Sequence, residues 1–165
     1  ASLYALTTGS GNVAIGHQAL YTNTTEGSLT AIGYQAAKAN TTGSGTVAIG
    51  YQALTANTTG EYNTATGYQS LVSNTTGDNN SSFGMYALSA NTSGDANSAF
   101  GSGSMFTNIT GVNNSAFGWS SLYYNTTGDY NTATGNNASY SVSNNEIILL
   151  GNVTVKNNFT TFNKR

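Results

Sequence analysis

The chain carries one histidine, His17, and no cysteine, so nucleophilic or proton-transfer chemistry would have to be built around a single imidazole. That chemistry needs a base beside a nucleophile, with a third group to orient it. His17 instead occupies a position that holds Tyr34, Tyr51 and Tyr68 at successive steps of 17 residues. A place exchanged freely between imidazole and phenol reads as one rung of a surface ladder. The glycines recur along the whole chain and form no phosphate loop opening a helix. The residues point to no enzyme, and no cofactor is expected.

Other side chains are candidates for binding. Glu61, Asp78, Asp95, Asp129 and Glu146 fall on one 17-residue register, with Glu26 one place off it. If such acids stack about 4.8 Å apart, neighbours repel by about 0.9 kcal/mol in a water-like dielectric. A hard cation between Asp78 and Asp95, helped by amide oxygens, would relieve this. Acids after glycine are also ordinary turn residues, and no glycine-aspartate calcium repeat is present. The aromatic candidates for ligand contact are Tyr21, Tyr62, Trp119, Tyr123, Tyr124 and Tyr130, which sit at variable positions. Amphipathic rings suit glycan or protein surfaces, although stacked rings also simply stabilise sheets.

Asn23, Asn40, Asn57, Asn74, Asn91, Asn108 and Asn125 are each 17 residues apart, mostly within Asn-Thr-Thr-Gly. Each has Thr or Ser two places on, which makes a glycosylation sequon; a hydrogen-bonded ladder at a turn explains the column without sugar. Thr24-Thr25, Thr41-Thr42, Thr58-Thr59 and Thr75-Thr76 raise an ice-ordering reading. Adjacent threonines point to opposite sides of a strand, and a corner is not a flat face.

All these positions hang on one period. A second invariant column is Gly16, Gly33, Gly50, Gly67, Gly84, Gly101, Gly118 and Gly135, with no insertions. Ile15, Ile32, Ile49, Thr66, Phe83, Phe100, Phe117 and Thr134 precede those glycines, and a small residue, Ala14 to Ala133 with Ser82 among them, comes one step earlier. Leu20, Ala37, Leu54, Leu71, Leu88, Met105 and Leu122 follow four places after the glycine. A helical repeat fails, because each column glycine would cost about 1 kcal/mol in a helix. The alternation Val13-Ala14-Ile15 reads as a strand. The run to Leu20 reads as a second short strand, and Asn-Thr-Thr-Gly as a turn. Each unit offers one Ile or Phe and one Leu, worth about 1.5–3 kcal/mol apiece once buried. One coil cannot offset its ordering entropy, whereas stacked coils share a core. The neighbouring Ala and Gly columns permit close approach of backbone, either inside one coil or between sister chains.

Composition agrees. Charged residues make up only 6% of 165, so the chain lacks the high charge of disordered segments, and its net charge of −2 gives no footprint for nucleic acid. The longest apolar run, Ile147-Ile148-Leu149-Leu150, is too short for membrane insertion. No basic-plus-apolar signal stretch opens the chain, and its start at Ala1 is expected to reflect processing or truncation, without an N-terminal cap.

Val13-Ala14-Ile15-Gly16 with Ala19, and Val47-Ala48-Ile49-Gly50, resemble the head repeats of trimeric autotransporter adhesins. The longer unit, Asn63-Thr64-Ala65-Thr66-Gly67-Tyr68-Gln69-Ser70-Leu71 followed by Asn74-Thr75-Thr76-Gly77, is similar to repeats of phage and giant-virus tail fibres. Asn145-Glu146-Ile147-Ile148-Leu149-Leu150-Gly151-Asn152 resembles the stretch that commonly precedes an endosialidase-type intramolecular chaperone. The resemblance implies a left-handed parallel β-roll in a homotrimer, outside the cell or on a virion, facing a host-surface glycan or protein receptor.

The expected fold is all-β, a parallel β-solenoid of about eight 17-residue coils over residues 1–141, on the order of 40 Å long. Residues 142–165, where the period dissolves and Lys156, Lys164 and Arg165 gather, are expected to form a cap or neck. The expected function is a fibre shaft or head for attachment. A monomeric solenoid binding ice or carbohydrate, and a self-assembling filament subunit, stand as alternatives.

Overall fold

A computed structural model of the chain describes residues 1–138 and the backbone of a last strand, Ile148–Leu150. Among the described residues nine three-residue strands form one parallel sheet: β1 (Val13–Ile15), β2 (Thr30–Ile32), β3 (Val47–Ile49), β4 (Thr64–Thr66), β5 (Ser81–Phe83), β6 (Ser98–Phe100), β7 (Ser115–Phe117), β8 (Thr132–Thr134) and β9 (Ile148–Leu150). Each pairs only with the strand before and after it in sequence. Like pairs with like: Ala14 lies against Ala31 and Ile15 against Ile32. From β1 to β8 every strand starts 17 residues after the last, which makes about seven full turns of solenoid. The eight column glycines therefore bracket seven turns, one fewer than the eight units counted along the sequence. The expected cap or neck over 142–165 and the acid Glu146 lie outside the described residues, apart from the backbone of β9.

The strand is inserted with its small column inward. Ala31, Ala48, Ala65, Ala99, Ala116 and Ala133 are fully buried, while Ile15, Ile49, Phe83, Phe100 and Phe117 on the same strands are exposed. This corrects the expectation that the Ile or Phe of each unit joins the core. The reason is space. The interior is shared with Ala19, Ala36, Ala53 and Ala87 and with the leucine column, all at or near zero exposure. The Ser70 and Ser82 hydroxyls, from those facing columns, meet at 2.7 Å. A coil that tight leaves little apolar room beside its buried asparagines; Leu20, Leu54, Leu71, Leu88, Met105 and Leu122 take the main apolar place, joined once by Leu29.

The expected second strand, running to Leu20, does not form. Gln18, Gln35, Gln52 and Gln69 have φ between 49° and 58°, and Leu20, Leu54, Leu71 and Leu88 between 48° and 53°. Left-handed backbone costs an L-residue about 1–2 kcal/mol, and two such residues two positions apart bend the chain into an arc. The arc still stacks: the Leu54 amide donates to the Ser70 carbonyl at 3.0 Å and the Leu71 amide to Ala87 at 2.9 Å. Burial of each leucine, worth about 1.5–3 kcal/mol, offsets much of the strain, and the stacked backbone hydrogen bonds contribute the rest.

The glycine column marks where successive coils touch. Gly67 has φ 133°, and a Cβ there would stand 2.6 Å from the Gly84 carbonyl oxygen of the next coil. The Gly column thus admits close approach of successive coils of one chain, while the Ala column lies buried inside the coil.

Candidate functional site

Two asparagine ladders run through the interior. In the first, Asn57, Asn74, Asn91, Asn108 and Asn125 each donate Nδ2 to the Oδ1 of the asparagine one coil earlier, at 2.8–2.9 Å. The same nitrogens reach the glycine carbonyl three residues on, as Asn91 does to Gly94 at 3.0 Å. All seven sequon asparagines, Asn23 to Asn125, are fully buried. A sugar on Nδ2 would displace those bonds and could not fit the closed coil.

The second ladder, Asn63, Asn80, Asn97, Asn114 and Asn131, was not singled out from the sequence, although its 17-residue spacing is visible there. Asn80, Asn97 and Asn114 each direct both the backbone amide and Nδ2 at the Oδ1 of the preceding rung. These side chains serve as internal turn supports, since buried polar groups need partners.

The acidic column lies at the surface and is tied to the backbone. Asp78 Oδ1 accepts the Glu61 amide at 2.7 Å, Asp95 Oδ1 accepts the Asp78 amide at 2.8 Å, and Asp129 Oδ1 accepts the Val112 amide at 2.8 Å. Asp78 and Asp95, the candidate cation pair, thus each use one carboxylate oxygen on a neighbouring coil. Among the described residues no three His, Asp or Glu side chains gather where they could hold a metal ion. The first threonine of three of the four pairs is likewise committed: Thr41, Thr58 and Thr75 donate their hydroxyls to the carbonyls of Thr58, Thr75 and Thr92 at 2.9–3.0 Å. Those hydroxyls are not free to order water in a rank.

The aromatic candidates are dispersed. Tyr21 stacks on Tyr4 at 5.0 Å, and Tyr123 stacks on Phe106 at 5.0 Å with Tyr124 edge-on to it. Tyr62 and Tyr130 share a column four coils apart, and Trp119 continues the column of His17. All but Tyr21 and Tyr123 are strongly exposed. They bring no single cleft together.

Two surface ladders are continuous instead. One runs His17, Tyr34, Tyr51 and Tyr68, with ring centroids 5.1–5.4 Å apart and planes within 13° of parallel. Beside it Gln35, Gln52 and Gln69 each donate Nε2 to the preceding glutamine's Oε1 at 2.7–2.9 Å, a signal also open in the sequence but not used. Tyr86 ends the stack edge-on to Tyr68. Desolvation first, then Tyr86, raises the Tyr68 phenol above its ordinary value of 10.0. The other ladder is the outer strand face: Ile15, Ile32, Ile49, Thr66, then Phe83, Phe100 and Phe117 stacked at 4.8 and 5.1 Å.

No protein-family model matches this chain, and neither a curated protein nor a solved structure does.

Proposed function

We propose that the chain is a non-enzymatic structural segment of an extracellular fibre, an adhesin head or a viral tail-fibre shaft, that works as a rigid homotrimer. The exposed Ile/Phe ladder on the outer strand face carries this reading. Phe83 and Phe100 keep 37% of their surface and Ile15 keeps 59%, in a file that stretches through seven strands. The flanking outward residues on those strands are Val13, Thr30, Val47, Thr64, Ser81, Ser98 and Ser115, so the face carries no charge. Identical copies can meet there without repulsion, and a contiguous apolar patch rimmed by polar residues marks an association surface. Parallel copies keep the coil spacing equal on both sides, so each coil level would meet its own equivalent. Association then presents every outward aromatic in several copies, and weak contacts with a host glycan or protein multiply.

Mass in solution tests this. Light scattering on the purified chain is expected to give about three times its 17.0 kDa. A stable monomer at high concentration would overturn the fibre reading and favour a single-chain binding solenoid. Open-ended growth would favour a filament subunit.

A further inference from the structure

We propose that the tyrosine column is a site of oxidative cross-linking, where neighbouring coils are stapled by dityrosine bonds between Tyr34 and Tyr51 and between Tyr51 and Tyr68. The proposal concerns a single chain and does not depend on how copies associate.

Three observations bear on it. Tyr34 and Tyr51 lie 5.2 Å apart with planes 10° from parallel, and Tyr51 and Tyr68 lie 5.1 Å apart at 7°. Near-parallel stacking turns the faces of neighbouring rings, where the phenoxyl spin density lies, toward each other, and the rings close the gap and swing outward as the bond forms. The three rings are also reachable, with 41–43% of their surface exposed. Finally, the glutamine ladder beside them, Gln69 to Gln52 to Gln35, fixes the spacing from coil to coil. Tyr86 stands at 81° to Tyr68, which misaligns the ring carbons and ends the reactive run.

The oxidant is hydrogen peroxide turned over by a haem peroxidase. Each phenol gives up one electron and its hydroxyl proton, and the two phenoxyl radicals join through a carbon–carbon bond ortho to the oxygens. Each ring then returns its displaced hydrogen to its oxygen and regains aromaticity. One peroxide takes up the two electrons and two protons and leaves as two waters. Held partners react as if at high effective concentration. The link closes a loop of one coil and so restricts the unfolded chain, as a disulfide does.

Trypsin can report the link, because Lys38 separates Tyr34 from Tyr51 and the next basic residue is Lys156. The full chain would be treated with peroxidase and peroxide, isolated as unpolymerised chain, denatured and digested. The expected product is fragment 1–38 joined covalently to 39–156, two hydrogens lighter per link, with dityrosine fluorescence. Tyr34→Phe should abolish the joined product yet keep the fluorescence in 39–156, from Tyr51 and Tyr68. Oxidation of the chain unfolded beforehand, in a denaturant the peroxidase tolerates, should lower the joined yield at least about tenfold. Separate fragments from the folded wild type, joining that survives Tyr34→Phe, or equal yield from the unfolded chain would each overturn the proposal.

Discussion

Asn91 donates its Nδ2 to Asn74 Oδ1 at 2.9 Å, and its own Oδ1 accepts Asn108 Nδ2 at the same distance. Neither Asn74 nor Asn91 is reached by solvent. A polar core is stable here because each inner rung, Asn57 to Asn108, is both donor and acceptor within the ladder. Asn91→Ala removes both roles: Asn74 Oδ1 loses its donor from the next coil, and Asn108 Nδ2 keeps only the Gly111 carbonyl. Leaving buried groups unpaired costs about 1–3 kcal/mol each, so a loss of about 2–4 kcal/mol is expected in denaturant unfolding. Asn91→Asp should be no milder, because a carboxylate cannot donate to Asn74 or to Gly94.

The 17-residue period made the stacking of coils legible, since equal spacing without insertion leaves each unit one identical turn. The asparagine column was legible as a ladder for the same reason. The phase of the strand was not. Val13-Ala14-Ile15 alternates equally well with either set inward, and the usual preference for burying the larger side chain points the wrong way. What decides it is the narrow interior, which leucine from the arc already fills. The arc itself was illegible because glutamine and leucine give no hint of left-handed backbone, which sequence reasoning assigns to Gly, Asn or Asp. Stacking imposes it on Gln52 at φ 52° and Leu54 at φ 53°.

Glycines in this chain are not equivalent. At Gly67, φ is 133° and an added Cβ would meet backbone at 2.6 Å, so Gly67→Ala should destabilise by more than about 2 kcal/mol. Gly103 replaces a glutamine of the ladder register at φ 66°, and its nearest neighbours would be the Ser120 hydroxyl at 3.3 Å and the Tyr123 ring at 3.5 Å. Gly103→Ala should cost only about 1–2 kcal/mol, the left-handed penalty alone. Melting curves of the two variants, side by side, check the order.

Ser70 and Ser82 each replace an alanine of the core columns and satisfy one another at 2.7 Å, with Ser82 Oγ also donating to the Ala87 carbonyl at 2.9 Å. Since one hydroxyl can serve as donor to only one partner, the pair shares its hydrogens between neighbours. Ser70→Ala and Ser82→Ala singly should each cost about 1 kcal/mol. The double variant restores the alanine pair that stands at the equivalent positions Ala36 with Ala48 and Ala53 with Ala65, and should cost less than the two added together. A double-mutant cycle measures the difference.

The raised Tyr68 phenol gives a sign for alkaline behaviour. Its neutral form is favoured in the folded chain, through desolvation first and then Tyr86. That contribution to stability is complete below the unfolded value near 10.0 and is lost as pH climbs through the higher folded value. Tyr86→Phe should lower the Tyr68 titration part of the way and leave the desolvation share in place. Ultraviolet phenolate titration of the variant against wild type, with Tyr68→Phe to identify the band, reads this directly.

On the outer strand face, Phe100 stacks between Phe83 at 4.8 Å and Phe117 at 5.1 Å while its remaining surface meets solvent. Phe100→Ser gives this coil a residue already present on the face, at Ser98, and leaves the buried Ala99 untouched. The single chain should therefore keep its β circular-dichroism spectrum. Its association should fall, because the 37% of Phe100 still exposed, once buried between copies, contributes about a third of the 1.5–3 kcal/mol of a whole side chain, or roughly 2–5-fold in the dissociation constant per contact. Ile49→Ser, half a rod away, should act in the same direction and more weakly, as a smaller side chain is removed. Sedimentation across a concentration series separates loss of association from loss of fold. Unchanged oligomer mass in both variants would move the contact surface away from this face.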